Sequence, residues 1–181
     1  MTSRTILRTH NRSNASVREL LSWVFAAELM TPSPEIWIAV AWISDIQIFD
    51  STDKSYSALI SRDSSNRINL SDFVVEVARR GSKVNIVTRP DPSNLNFIDS
   101  VRRKSDRSEF QENILMHISE QIHQKNVVGR DWVIDGSMNL TANGLDNNVE
   151  SLILFVDQKK ASETRTNLSQ TWEKLLEGIR K

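Results

Sequence analysis

Apolar residues recur at helical spacing through Val17, Leu20, Leu21, Val24, Phe25 and Leu29, with Asn14 or Ser16 placed to cap them and Pro32-Ser33-Pro34 to stop them. The next run, Ile36 to Ile43, is almost unbroken by polar residues and reads as a buried strand ended by Ser44-Asp45. Residues 50 to 68 are polar and read as a surface excursion. Ser71 then caps a helix through Phe73, Val74, Val77 and Ala78, closed by Gly81, and Lys83 to Thr88 follows as a strand. After the turn Arg89-Pro90-Asp91-Pro92-Ser93 comes a helix from about Leu95 to Arg107. Ile114 to Ile118, Ile122 to Val128, Trp132 to Asp135 and Val149 to Val156 read as short strands. A closing helix from about Ser162 turns Leu168, Trp172, Leu175, Leu176 and Ile179 inward. Helices feeding strands in this order predict an α/β fold, a mixed β-sheet flanked by helices on both faces, as one domain over 1–181.

Composition narrows the chemistry. The 181 residues contain no cysteine, which removes disulfides, thiolate nucleophiles and Cys-ligated zinc. Twenty-three Lys and Arg balance 23 Asp and Glu, so the bulk charge does not announce a polyanion partner. The apolar runs are too short to span a bilayer and the first residues lack a signal-peptide core, so a soluble cytoplasmic protein without membrane contact is expected.

The segment from Gln121 to Thr141 carries the chemistry. Residues i and i+2 of a strand share a face, so His123 and Lys125 project together. Gly136 frees the backbone to turn, Ser137 adds a hydroxyl and Asn139 an amide donor, a set that suits a phosphate group. A lone strand histidine is ordinarily a packed or surface residue; the neighbours at this spacing are what favour catalysis. Ser44 and Asp45, at a strand end, are candidates for lining the pocket, with a turn or helix cap as the alternative.

His123-x-Lys125, then Gly136-Ser137-x-Asn139, Leu140-Thr141 and a downstream Glu150, resembles the HKD motif of the phospholipase D superfamily. Trp42-Ile43-Ser44-Asp45, with Gly136 to Thr141, is most similar to small bacterial members associated with DNA restriction and phage defence, including the one in 7-deazaguanine DNA-modification clusters. The resemblance implies a phospholipase-D-like fold and a metal-independent, cofactor-free phosphodiesterase, a nuclease acting on DNA. Histidine forms a phosphohistidine, lysine with Ser137 and Asn139 holds phosphoryl oxygens, and Glu150 orients a histidine. The acid five residues after the lysine falls on Arg130 here; a one-residue shift in the hairpin puts Asp131 in the role, and otherwise the role is empty. Only one motif is present, since neither His10 nor His117 starts a second copy, so the resemblance implies a homodimer sharing one site. Other subunits of a restriction or defence system are implied partners. The alternatives are a catalytically weak nucleic-acid or nucleotide-binding module that recruits subunits, favoured by Arg130, and a phospholipase.

Two basic clusters, Arg79, Arg80, Lys83, Arg89 and Arg102, Arg103, Lys104, read either as solvated helix faces or as nucleic-acid contacts flanking the site. They are offset by the acidic stretch from Asp45 to Asp53, so an uneven surface is expected. The five tryptophans read as core, with Trp132, beside the hairpin turn, the candidate for base stacking.

Overall fold

The computed structural model describes residues 2–7, 15–50, 67–146, 150–172 and 177–178. In chain order these form β1 (Thr2–Leu7), α1 (Ala15–Met30), β2 (Glu35–Val40), β3 (Gln47–Asp50), β4 (Arg67–Asn69), α2 (Leu70–Arg79), β5 (Lys83–Thr88), α3 (Leu95–Ser105), β6 (Ile114–Ile118), β7 (Lys125–Val128), β8 (Trp132–Gly136), α4 (Ala142–Asp146), β9 (Ser151–Val156), α5 (Gln158–Trp172) and β10 (Glu177–Gly178). Eight strands make one sheet in the order β1-β9-β8-β7-β2-β5-β6-β10, while β3 and β4 pair separately. The β2–β5 and β5–β6 ladders are parallel and the others antiparallel, so the sheet is mixed.

Strand alternation divides the interior into two cores. Ile36, Ile38 and Val40 of β2, Val127 of β7 and Ile134 of β8 face α1, α2 and α3, where Leu21, Phe25, Phe73 and Phe97 are fully packed. Trp37, Ala39, Val128 and Val133 face the other way, onto Ala161, Leu168 and Trp172 of α5. Helices therefore cover both faces, as the patterning predicts. No helix among the described residues is long and apolar enough to cross a membrane.

The differences from the sequence pattern are local and have visible causes. The strand expected over 36–43 leaves the sheet at Val40, because the Ile43 N–H turns to the Asn94 side chain (2.8 Å) and the Ser44 N–H to the Leu140 carbonyl (2.8 Å). Helix α2 is entered at Asn69, whose N–H donates to Asp72 (3.0 Å), two residues ahead of the expected cap Ser71. Gly81 closes it with a φ of +95° that suits a residue lacking Cβ. The last helix starts at Gln158 and not near Ser162, since Asp157 caps it by accepting from the Lys160 N–H (2.9 Å). Glu177–Gly178 does not continue that helix; it pairs antiparallel with Met116 and Leu115 at the sheet edge. Of the surface excursion expected over 50–68, Asp50 ends β3 and Arg67 and Ile68 open β4, and 51–66 lie outside the described residues.

One buried side chain holds the strand ends that carry the site. Asn94, fully buried, follows the turn after β5. Its amide nitrogen donates to the Ala41 carbonyl (3.1 Å), the Thr88 hydroxyl (2.8 Å) and the Arg89 carbonyl (2.9 Å), and its oxygen accepts from Ile43. Truncation would strand several backbone groups away from water, each costing about 1–3 kcal/mol. Asn94→Ala should therefore lower unfolding stability by at least about 3 kcal/mol in chemical denaturation.

Candidate active site

The strand register gathers one set of residues at a single end of the sheet. Val40 at the end of β2 lies opposite Lys125 at the start of β7, Val87 and Thr88 of β5 lie opposite His117 and Ile118, and Gly136 at the end of β8 lies opposite Leu152. In α/β sheets such strand ends are where ligands bind. His123 and Lys125 stand at this end. The residues between and before them are anchored in the α5 core: Ile122 is fully buried, and Gln124 accepts from the Trp172 indole N–H (2.9 Å). Strand β7 begins at Lys125 and not at Ile122 as the patterning suggests; alternation with Val128 directs Lys125 away from the α5 core, while His123 precedes the strand. His123 is exposed, while the half-buried Lys125 donates from Nζ to the His123 carbonyl (3.1 Å).

Across the end of β8, Gly136 has a φ of +150°, and a Cβ there would overlap the Ser151 carbonyl oxygen. Its absence lets β8 and β9 stay paired one residue further, with the Ser137 N–H donating to the Ser151 carbonyl (3.0 Å) and the Ser151 N–H to Ser137 Oγ (3.0 Å). The same hydroxyl donates to the Glu150 carboxylate. Ser137 and Glu150, far from His123 in sequence, are thus locked together at the sheet end that carries it. Asn139 follows, its Oδ1 accepting from the Trp42 N–H (3.4 Å). The segments after β2 and β8 run side by side, bridged at Ile43 and Leu140.

Between those segments opens a cleft of about 440 Å³ lined by Trp42, Ser44, Ser93, Asn139, Thr141, Ala142 and Asn143. Trp42 is 36% exposed, its indole N–H donates to Asp91 (3.0 Å), and the Arg89 guanidinium lies over its ring, 5.5 Å from the centroid. Asp91 also accepts from Ser93 Oγ (2.6 Å) and the Ser93 N–H (2.9 Å). Hydrogen bonds from Ser93, then from the Trp42 indole, with the Arg89 charge, hold the Asp91 carboxyl below its ordinary range. Trp42 and Thr141 belong to the segments that carry the resemblance, whereas Asp91 and Ser93 have no such mark in the sequence; the signal available for them is that the Arg89 to Ser93 turn directly follows a parallel strand.

The remaining candidates divide by position. Ser44 lines the cleft, whereas Asp45 accepts from the Ser71 N–H (2.9 Å) and hydroxyl (2.8 Å) in the first turn of α2. Arg89 belongs to the site end. Arg79 and Arg80 end α2 in ion pairs with Glu76 (2.6 and 2.8 Å), and Lys83 opens β5 opposite Glu35, at the other end of the sheet. Their charge is shared with acids on the same face. Lys104 is engaged by Asp72 (2.7 Å) and Arg103 by Ser100 (3.2 Å), with Asp99 4.0 Å from Arg102. The structure therefore places His123, Lys125, Ser137, Asn139, Glu150, Ser44 and Arg89 at one end of the sheet, and leaves the other basic residues apart from them.

Arg130 and Asp131 sit in the β7–β8 turn, at the end of the hairpin away from Lys125 and Gly136. Arg130 donates to the Pro32 carbonyl (2.9 Å), and its N–H to Ser33 Oγ (2.7 Å). Buried Glu28 accepts from Ser33 Oγ (3.0 Å) and from the Trp132 indole N–H (2.7 Å). Trp132 is thus a core residue only 7% exposed, in line with the core reading of the tryptophans and not the stacking alternative, whereas Trp42 at the site is exposed. Among the described residues no group of three His, Asp or Glu side chains is arranged to hold a metal ion.

A protein-family model described as cardiolipin synthase, PLD-like domain, matches residues 28–172. The fold is similar to that of the phospholipase D family member Nuc from Salmonella typhimurium, with TM-score 0.63 and 13% identity over 99% of this chain and 100% of that one. NucT from Helicobacter pylori gives TM-score 0.57 and 14% identity over 98% and 99%. The phosphatidylserine synthase of Haemophilus influenzae gives 0.57 and 11% identity, covering 97% of this chain and 39% of that one. No curated protein matches in sequence.

Two outcomes follow from the geometry. Gly136→Ala, forced against the Ser151 carbonyl at a φ that L residues rarely adopt, should cost about 2 kcal/mol or more in denaturant unfolding. Because the folded Asp91 carboxyl is depressed, its anchoring of Trp42 is fully present above the ordinary value of 3.8 and is lost as pH falls through the lower folded value. The tryptophan-emission difference between wild type and Trp42→Phe should stay flat above pH 5 and change only in the acid limb, and Asp91→Asn should abolish that change.

Proposed function

Because the chain belongs to the family of phospholipase-D-like (PLD-like) domains, we propose that it is a metal-independent nuclease, hydrolysing DNA phosphodiesters through a phosphohistidine at a site shared by two copies of the chain. The observation that carries this reading is the gathering of His123, Lys125, the Ser137–Glu150 pair and Asn139 at one end of the sheet. Imidazole supplies a nucleophile without metal or thiol, and lysine with hydroxyl and amide donors stabilises phosphoryl charge as it develops.

The chemistry balances with two histidines. His123 of one copy attacks phosphorus through a ring nitrogen, the P–O bond to the leaving group breaks, and the second copy's His123 gives that oxygen a proton. Water then displaces the ring nitrogen, losing its proton to the same second histidine. Each copy gives one Lys125. Exposure of His123 at an open sheet end suits a half-site awaiting its symmetric counterpart.

The place of the missing acid bears on whether such a site works. Arg130 and Asp131 lie at the far end of the hairpin, where Arg130 ties the turn to the loop before β2. The substitution therefore leaves His123, Lys125 and Ser137 untouched, which favours catalysis over a binding-only module. A role in restriction or phage defence, with further subunits, rests on the sequence resemblance of 42–45 and 136–141, segments bridged in the fold at Ile43 and Leu140.

Plasmid nicking in EDTA tests the chemistry. Wild type should cut, Lys125→Ala should lose about 10²–10³-fold and His123→Ala at least about 10²–10⁴-fold. Inhibition by chelator would refute the mechanism, and DNA retardation without cutting would leave the binding module. For the shared site, sedimentation should give a dimer, and a fully active monomer would refute it.

A further inference from the structure

The cleft beside Asn139 has a composition that the hydrolytic residues do not explain. Its lining is uncharged: one indole, the side chains of Ser44, Ser93, Asn139, Thr141 and Asn143, and a single methyl at Ala142. The nearest charges, Arg89 over the Trp42 ring and Asp91 on its indole N–H, are of opposite sign and stand behind the lining, so a second phosphate or a cationic headgroup would find no unopposed charge there. An acyl chain would have to cover hydroxyls and amides, each of which loses hydrogen bonds to water when covered by hydrocarbon. The volume of about 440 Å³ lies within the range of small-molecule sites. What such a lining suits is a neutral, planar group with hydrogen-bonding edges.

Trp42 is held as a platform for that group. Its main chain is tied to Asn139, its indole N–H to Asp91 and its ring to the Arg89 guanidinium, so little motion remains to be lost when a ligand stacks. Yet an aromatic side chain of this size remains over a third exposed, immediately past the end of a buried strand. Asn139 belongs both to the Gly-Ser-x-Asn run and to the cleft wall, so the cleft opens where a phosphate held by that run would end.

We propose that this cleft is a nucleobase subsite, in which the base adjoining the scissile phosphate stacks on Trp42 and is met on its edge by the hydroxyls and amides of Ser93, Thr141 and Asn143. This rests on the nuclease reading and adds to it a requirement for an ordinary, flipped-out or single-stranded base at one defined position. Extruding a base from a duplex costs stacking and pairing, so single-stranded, mismatched or end-frayed DNA is the preferred substrate.

The test compares a short single-stranded oligonucleotide with versions carrying one abasic residue at successive positions, read by cleavage and by fluorescence anisotropy with wild type, Trp42→Ala and Trp42→Phe. The abasic residue at the position adjoining the cut should weaken wild-type binding about 5- to 150-fold, the range for loss of one base–aromatic stack. Trp42→Ala should show the same loss on the intact oligonucleotide and no further loss on the abasic one, while Trp42→Phe should retain most of the discrimination. Trp42→Phe keeps an aromatic face but, like Ala, lacks the N–H that Asp91 accepts, so it separates loss of the stack from disturbance of the Asp91 turn. Cutting with no penalty at any abasic position, or a penalty unchanged in Trp42→Ala, overturns the subsite and leaves the nuclease reading standing. Wild type that neither binds nor cuts the intact oligonucleotide, yet hydrolyses a glycerophosphodiester in a His123-dependent way, overturns both.

Discussion

The Asn94 carboxamide is the interaction on which the site depends. Two parallel strands, β2 and β5, end beside each other, and beyond them the chain must leave the sheet in two directions without abandoning its buried peptide groups. One side chain solves this by serving the Ala41 and Arg89 carbonyls, the Thr88 hydroxyl and the Ile43 N–H together. The Ala41 to Ser44 segment is thereby turned outward against Leu140, and the Arg89 to Ser93 turn is brought under Trp42. Both cleft walls and the approach to Lys125 take their position from it.

Legibility in the sequence followed the range of the interactions. The helix through Val17 to Leu29 and the strands at 83–88, 114–118 and 132–136 are read correctly because a single periodicity governs each. Strand β1 escaped notice, since Thr-Ser-Arg-Thr carries no apolar alternation and becomes a strand only through pairing with β9. At the other end, Leu168 and Trp172 set a helical rhythm that Leu175 and Ile179 continue, while pairing with β6 makes 177–178 a strand. Tertiary pairing outweighs local rhythm in such short pieces.

The site shows the same division. Lys125 and Gly136 are legible because the β7–β8 hairpin places them by local spacing, and His123, Ser137 and Asn139 lie within three residues of its ends. Trp42, Asp91 and Ser93 reach the same place only through the long-range turns around Asn94, and nothing in their spacing marks them. Charge runs stay ambiguous in sequence for a related reason: the proximity of Arg79, Arg80 and Lys83 says nothing about Glu76 and Glu35 beside them in space.

The pairing of β1 with β9 has a consequence for how the protein is made. Ile6 meets Leu152, 146 residues further along. At about 5–20 residues per second, ribosomal synthesis keeps the first strand waiting roughly 7–30 s for its partner. During that interval β1 has no ladder, and once β9 emerges, its Ser-Leu-Ile-Leu-Phe-Val sequence presents an apolar edge until β1 docks. Closure of the sheet is thus a late, non-local event in the nascent chain, and the moment of greatest aggregation risk falls after the β7–β8 hairpin has already formed.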